Sequence, residues 1–201
     1  MAYELVLFDL GGVAVDFEAD RLVHQVSQLI GRNFEEVQAA VYDPQLLGPL
    51  ERGQVRPEAY YDGLKAKLEL PWTYEQFARA WNDILRENPD VTGFMPRLRK
   101  RHKLMALTNT NALHLAYMKA TMPSLALLDD WIASCEVGHC KPDPRIYQVA
   151  LDRAGVSPRQ AVYIDDRPEL VQAGRGLGLT AIHFESSHQL AEELRAIGLN
   201  I

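Results

Sequence analysis

The sequence predicts an α/β fold: a doubly wound parallel sheet, interrupted soon after its first strand by a helical insertion. Three observations carry that expectation. Short apolar runs rich in branched residues recur along the 201 residues, helical patterns separate most of them, and one long stretch reads as helical throughout.

The runs are "ELVLFD", "KLMALTN", "DWIASCEV", "AVYIDD" and "TAIHFE". Each lacks the polar alternation of a strand with one wet face, so each reads as a parallel strand buried on both sides. The helices between them carry end signals. In "DPRIYQVALDRAGV", Asp143 stands at the N-cap, Pro144 at the first helical position and Gly155 at the stop. "RPELVQAGRGLGL" follows the fourth run directly. Its closing glycines precede a strand instead of following one, so they read as helix termination and not as a dinucleotide-binding loop.

Residues 16–89 break the alternation. "DRLVHQVSQLI", "NFEEVQAAVYD", "RPEAYYDGLKAKLEL" and "TYEQFARAWNDIL" each place apolar residues at helical spacing, with "GRN", "PLERGQV" and "ELPWT" as connections. This predicts a four-helix cap over 16–89 and a discontinuous core domain of 1–15 and 90–201. Both ends of the insertion fall beside the loop after the first strand, which puts the cap over the carboxyl edge of the sheet. Asp16 is expected to cap the first inserted helix.

Composition narrows the function. With 27 acids against 21 bases the net charge is −6, which disfavours nucleic acid and anionic membrane as partners. No basic leader precedes a long apolar stretch, and no segment approaches the roughly 20 apolar residues that span a bilayer. A soluble cytoplasmic protein is expected. Cys135 and Cys140, with His139 between them, match no closed zinc pattern and are expected to be buried thiols without a disulfide. His24, His114, His139 and His183 are scattered and are expected on the surface or in packing. Neither a Walker lysine nor a "GxSxG" elbow occurs.

Ligands of open parallel sheets bind outside the carboxyl ends of the strands. The predicted strand ends deliver Asp9 from the first strand, Thr108 and Asn109 from the second, and Asp165 and Asp166 from the fourth, while Lys141 follows the third. Any one of these suits a cap or a turn. Together they suit phosphoryl transfer. Three clustered carboxylates repel one another and a phosphate dianion, so a divalent cation such as Mg²⁺ is needed, with Lys141 supplying further positive charge.

The four motifs "FDLGGV", "LTNTN", "CKPDPRIY" and "YIDDRPE", in this order and each at a predicted strand end, resemble those of the haloacid dehalogenase superfamily, in its branch with a helical cap after the first strand. The resemblance covers essentially the whole chain. It implies a Rossmann-like core in which Asp9 is the nucleophile that takes the phosphoryl group as an aspartyl-phosphate. It further implies that Thr108 and the Asn109 backbone hold the phosphate, and that Lys141 orients Asp9 and offsets charge at the transferring group. The Mg²⁺ ligands it implies are Asp9, the Gly11 carbonyl, and Asp166 directly, with Asp165 in a supporting or shared role. The expected substrate is a small phosphorylated metabolite.

Gly11 departs from the commonest pattern of that superfamily, which places a second Asp two residues after the nucleophile to protonate the leaving oxygen and later activate water. Such assistance is typically worth about 10²–10⁴-fold in rate. Three readings stay open: a phosphatase whose proton comes from water, the substrate or a cap residue; a phospho-ligand-binding regulatory protein with little turnover; and a metal-independent 2-haloacid dehalogenase, against which the Asp165–Asp166 pair counts. In the cap, Arg52, Trp81 and Asn82 are the candidates for contacting the leaving group.

Overall fold

In the computed structural model, which describes residues 2–201, the chain opens with β1 (Leu5–Phe8) and β2 (Val15–Phe17). Five helices follow, α1 (Ala19–Ile30), α2 (Phe34–Val41), α3 (Pro44–Glu51), α4 (Pro57–Leu68) and α5 (Tyr74–Asn82), before β3 (Leu85–Glu87). Two short helices, α6 (Pro89–Thr92) and α7 (Met95–Leu98), lead into an alternating series: β4 (Lys103–Thr108), α8 (Ala112–Thr121), β5 (Asp130–Ala133), α9 (Ser134–Val137) and α10 (Pro144–Ala154). The series ends with β6 (Ala161–Asp165), α11 (Pro168–Gly176), β7 (Thr180–His183) and α12 (Ser187–Ala196).

The main sheet has the order β5-β4-β1-β6-β7, and all its pairs are parallel. β1 sits at its centre. Leu5 and Leu7 face one core with Met105, Leu107, Ile132 and Tyr147, while Val6 and Phe8 face the other with Leu104 and Ala106. All four β1 residues are buried; with two apolar faces to fill, the strand has no place for polar alternation. The second core continues without a break into the insertion, through Leu22, Val26, Tyr60, Phe77 and Trp81. Because β1 lies between β4 and β6, Asp9, Thr108 and Asp165 come to adjacent strand ends.

End signals place the helices as expected. Asp143 Oδ1 accepts from the Arg145 amide at 2.9 Å, Pro144 opens α10 and Gly155 closes it in the left-handed region. Thr73 and Gln76 form a reciprocal capping box at α5.

The structure differs from expectation in three respects, two of them in the insertion. The insertion holds five helices, not four: α3 occupies much of the segment between the second and third expected helices, including the start of "PLERGQV". Gly48 and Pro49 disfavour a helix, but Asp43 caps α3, Pro44 occupies its first turn, and burial of Leu50 beside Leu46 and Leu47 outweighs the local cost. The insertion is also framed by strand where none was expected. β2 and β3 form an antiparallel ribbon pairing Val15 with Glu87, Asp16 with Arg86 and Phe17 with Leu85. At three residues each, such strands are too short for periodicity to register. Asp16 therefore lies in a strand, and the N-cap position of α1 is held by Glu18, without a side-chain capping bond. Finally, the run "DWIASCEV" is strand only to Ala133. There the Ser134 hydroxyl accepts from the Thr110 amide at 2.9 Å and donates to the Thr110 carbonyl at 3.0 Å, turning the chain into α9.

Candidate active site

Asp9 follows β1 directly and is only 7% exposed. Its amide donates to the Ile164 carbonyl at 2.8 Å, and its Oδ1 accepts from the Leu10 amide at 2.7 Å. Lys141, from the loop between α9 and α10, places its buried Nζ 2.9 Å from Asp9 Oδ1 and 2.7 Å from Asp165 Oδ2. The ammonium thus bridges acids from two neighbouring strands.

The loop that carries Lys141 is tied to β4 by a side chain. Asn109 Oδ1 accepts from the Lys141 amide at 2.7 Å, and Asn109 Nδ2 donates to the Lys141 carbonyl at 3.0 Å. Asp165 is held as tightly: its Oδ2 also accepts from the Tyr163 hydroxyl, and its Oδ1 accepts from the Arg167 amide at 2.9 Å. Both Asp165 oxygens are therefore engaged within the protein. Asp166, half-buried, keeps its carboxylate outside this network.

Asp9, Asp165 and Asp166 each present one oxygen, and these three atoms lie within 4.8 Å of one another. An all-oxygen set at this spacing has the donor chemistry of a Mg²⁺ or Ca²⁺ site. Gly12 borders the cluster. It sits at φ +81°, and a Cβ there would stand 2.4 Å from Asp166 Oδ2, so only glycine admits Asp166 this close to the backbone. At Gly11, by contrast, a Cβ would meet nothing within 4 Å.

Burial dominates the electrostatics. It pushes the Asp9 carboxyl up to about 6, with the Asp165 charge acting in the same direction and Lys141 opposing. Burial and the Asp165 charge likewise raise Asp166. At Lys141 burial disfavours the ammonium, but Asp9 and Asp165 together outweigh it and the net shift is upward, so the cation persists.

A cavity of about 340 Å³ opens above the cluster. Its floor includes Asp9, Gly11, Gly12, Thr108, Asn109, Lys141 and Asp166; Phe17, Leu85, His114 and Met118 form an apolar side, and Glu51 and Arg167 also line it. The expected residues of the sheet edge thus converge, with Asp165 fully buried and joined to them through Lys141.

Of the three residues expected from the insertion, none lines the cavity. Trp81 is 4% exposed and packs among Tyr60, Phe77 and the His114 ring. Asn82 has its Oδ1 buried, and Arg52 is exposed at the end of α3. The insertion and its ribbon instead contribute Glu51, Phe17 and Leu85. Glu51 adjoins Arg52 within "PLERGQV", so the stretch was legible and the residue was not. His114 is buried, as a packing role requires. Its Nε2 donates to the Trp81 carbonyl at 3.1 Å, and burial pushes it down to about 4.

A buried acid–lysine cluster at the carboxyl edge of a parallel sheet, with a helical insertion leaving just after the first acid, defines a hydrolase of the Rossmann-like type. The chain belongs to the haloacid dehalogenase-like hydrolase family, whose model matches residues 3–178. It is 24% identical to a D-ribitol-5-phosphate phosphatase of Bacteroides thetaiotaomicron, over 96% of this chain and 97% of that one. It is 25% identical to a phosphorylated carbohydrates phosphatase of Thermotoga maritima, over 90% and 84% of the two chains. In fold it is similar to a haloacid dehalogenase family enzyme from Bacteroides thetaiotaomicron solved with magnesium and inorganic phosphate, with a TM-score of 0.82 at 20% identity, covering 94% of this chain and 99% of that one. Among the described residues, no helix is long and apolar enough to cross a membrane.

Proposed function

We propose that this chain is a Mg²⁺-dependent phosphatase that cleaves a small phosphorylated metabolite through a phosphorylated Asp9. The observation that carries the reading is Lys141 Nζ, 2.9 Å from Asp9 and 2.7 Å from Asp165, at the floor of a cavity that Asp166 also lines. Relatives named as phosphatases, aligned over nearly the whole chain, support it.

In this reading Asp9 attacks phosphorus, with its orientation fixed by Lys141 and the Leu10 amide, which both hold Oδ1. The Thr108 hydroxyl and the Asn109 backbone bind the phosphoryl oxygens, and Lys141 offsets the charge that builds on them. Asp9, Asp166 and the Gly11 carbonyl are the proposed metal ligands; Asp165, with both oxygens already engaged, supports Lys141 and the loop to Arg167. Bound Mg²⁺ would neutralise the acid cluster and draw electron density from the transferring phosphoryl group. We assign residues 1–15 and 90–201 to the core and 16–89 to a cap that shields the site, and the setting to the cytoplasm, where the unpaired Cys135 and Cys140 are at ease.

The test is hydrolysis of p-nitrophenyl phosphate and of a panel of phosphorylated metabolites, with and without Mg²⁺, beside Asp9→Asn. Mg²⁺-dependent release of phosphate that disappears in Asp9→Asn supports the reading. Metal-independent turnover, or activity surviving in Asp9→Asn, overturns it. Halide release from a 2-haloacid would replace it with a dehalogenase, and binding of Mg²⁺ and phosphate without turnover would replace it with a regulatory protein.

A further inference from the structure

We propose that the Glu51 carboxyl, carried into the site by the insertion, is the proton donor and acceptor of the reaction, the role for which Gly11 offers no side chain. The proposal rests on the phosphatase reading above.

The geometry points to Glu51 by position and by elimination. It lines the same cavity as Asp9 and Gly11, at the end of α3. The space where a side chain of residue 11 would begin is open, with nothing within 4 Å of an added Cβ. The end of α3 is anchored to the sheet domain: Gly53, at φ +65°, lies so close to the Cys135 carbonyl that a Cβ would stand 2.0 Å from its oxygen. Leu50 beside it is buried. Glu51 is therefore held at the cavity and does not swing on a free loop.

Apart from Asp9, the nucleophile, the other titratable side chains that line the cavity are committed elsewhere. Lys141 is tied to two acids. Asp166 belongs to the carboxylate cluster. The His114 Nε2 proton goes to the Trp81 carbonyl, and Arg167, paired with Glu169, does not deprotonate in proteins. Asp16, exposed on the ribbon, does not line the cavity. The charged and titratable groups around Glu51 are Arg167 and Arg52, which act on it through space, and Cys140 and Tyr60, on which its own charge acts. Burial outweighs both guanidiniums and raises the carboxyl above the ordinary range, which favours a form able to give up a proton.

The protons balance over the cycle. As Asp9 forms its bond to phosphorus and the ester P–O bond breaks, the leaving oxygen takes the Glu51 proton and departs as an alcohol. The Glu51 carboxylate then takes a proton from water, whose oxygen attacks phosphorus. The bond to Asp9 breaks, inorganic phosphate leaves and Glu51 is again a carboxylic acid.

Glu51→Gln keeps the size of the side chain and removes the transferable proton. The experiment compares kcat/KM for phenyl phosphate, whose leaving group needs a proton, with that for p-nitrophenyl phosphate, whose leaving group does not. The expected result is a fall of about 10²-fold for phenyl phosphate and little change for p-nitrophenyl phosphate. A burst of nitrophenolate should appear as phosphorylated Asp9 waits for its water. Gly11→Asp in the Glu51→Gln background should restore phenyl phosphate hydrolysis. Equal losses on both substrates, or no loss on either, overturn the proposal. With Asp9→Asn inactive in the same series, either of those outcomes removes Glu51 alone and leaves the phosphatase reading standing; an active Asp9→Asn removes the reading itself.

Discussion

Asn109 grips Lys141 by the backbone at both ends: its side chain accepts from the Lys141 amide at 2.7 Å and donates to the Lys141 carbonyl at 3.0 Å. The side chain of one strand end therefore sets the position of the ammonium that spans two acids. Asn109→Ala should remove both bonds and free the loop. The expected cost is about 1–3 kcal/mol in stability for two hydrogen bonds and about 10²-fold in kcat for a displaced Lys141. Chemical denaturation and steady-state kinetics check the two parts separately, and unchanged kcat in a well-folded variant would break the link.

Lys141 is the buried counter-charge of Asp9 and Asp165. Lys141→Met should destabilise the fold by about 3–5 kcal/mol, because it strands two acids out of water. Lys141→Met combined with Asp165→Asn should cost less than the sum of the separate changes, since the second removes one stranded charge. Denaturant midpoints of the four proteins in metal-free buffer give the coupling; strict additivity would contradict it.

Stability should fall on mild acidification through His114. Its folded value is near 4 and its ordinary value is 6.5, so between those pH values the unfolded chain binds a proton that the native state refuses. The contribution is fully present above about pH 6.5 and is lost as pH falls toward 4. Its size is of order 3 kcal/mol. His114→Gln, which can still donate to the Trp81 carbonyl, should flatten the stability profile over that window. Equal slopes in the two proteins would show that His114 is not the group responsible.

Gly12 and Gly11 are adjacent glycines with opposite tolerance. Gly12→Ala places a Cβ against Asp166 and strains a φ of +81°, whereas Gly11→Ala enters open space. Gly12→Ala should lose about 1–2 kcal/mol more stability than Gly11→Ala. It should also raise the Mg²⁺ concentration needed for half-maximal activity. Denaturation and Mg²⁺ titration test the two consequences.

The parts of this molecule legible in its sequence are those fixed by local pattern. β1, β4 and β6 announce themselves as apolar runs because both their faces are buried, and Asp9, Thr108 and Asp165 stand where those runs stop. α10 is bounded by Asp143 and Gly155, whose backbone requirements are local. The parts that escaped depend on contacts between distant residues. α3 survives Gly48 and Pro49 through burial of its leucines, and β2 and β3 exist only by pairing with each other. The cavity wall is read least well of all. Whether Arg52 or Glu51 lines the cavity depends on the rotation of α3 against the sheet, and no spacing within "PLERGQV" encodes that angle. The Asn109–Lys141 contact escaped for a similar reason, because it joins residues 32 positions apart.

The β2–β3 ribbon has a consequence for the protein's history as well as its chemistry. Val15, where the chain departs, is paired with Glu87, where it returns, so the covalent chain enters and leaves the whole intervening segment through a single doorway six residues beyond Asp9. A different set of helices could be hung from the same doorway while the strands that carry the acids and the lysine kept their register. Selectivity and chemistry can thus diverge at separate rates within one chain, provided that each new tenant brings its own group to stand where Glu51 does.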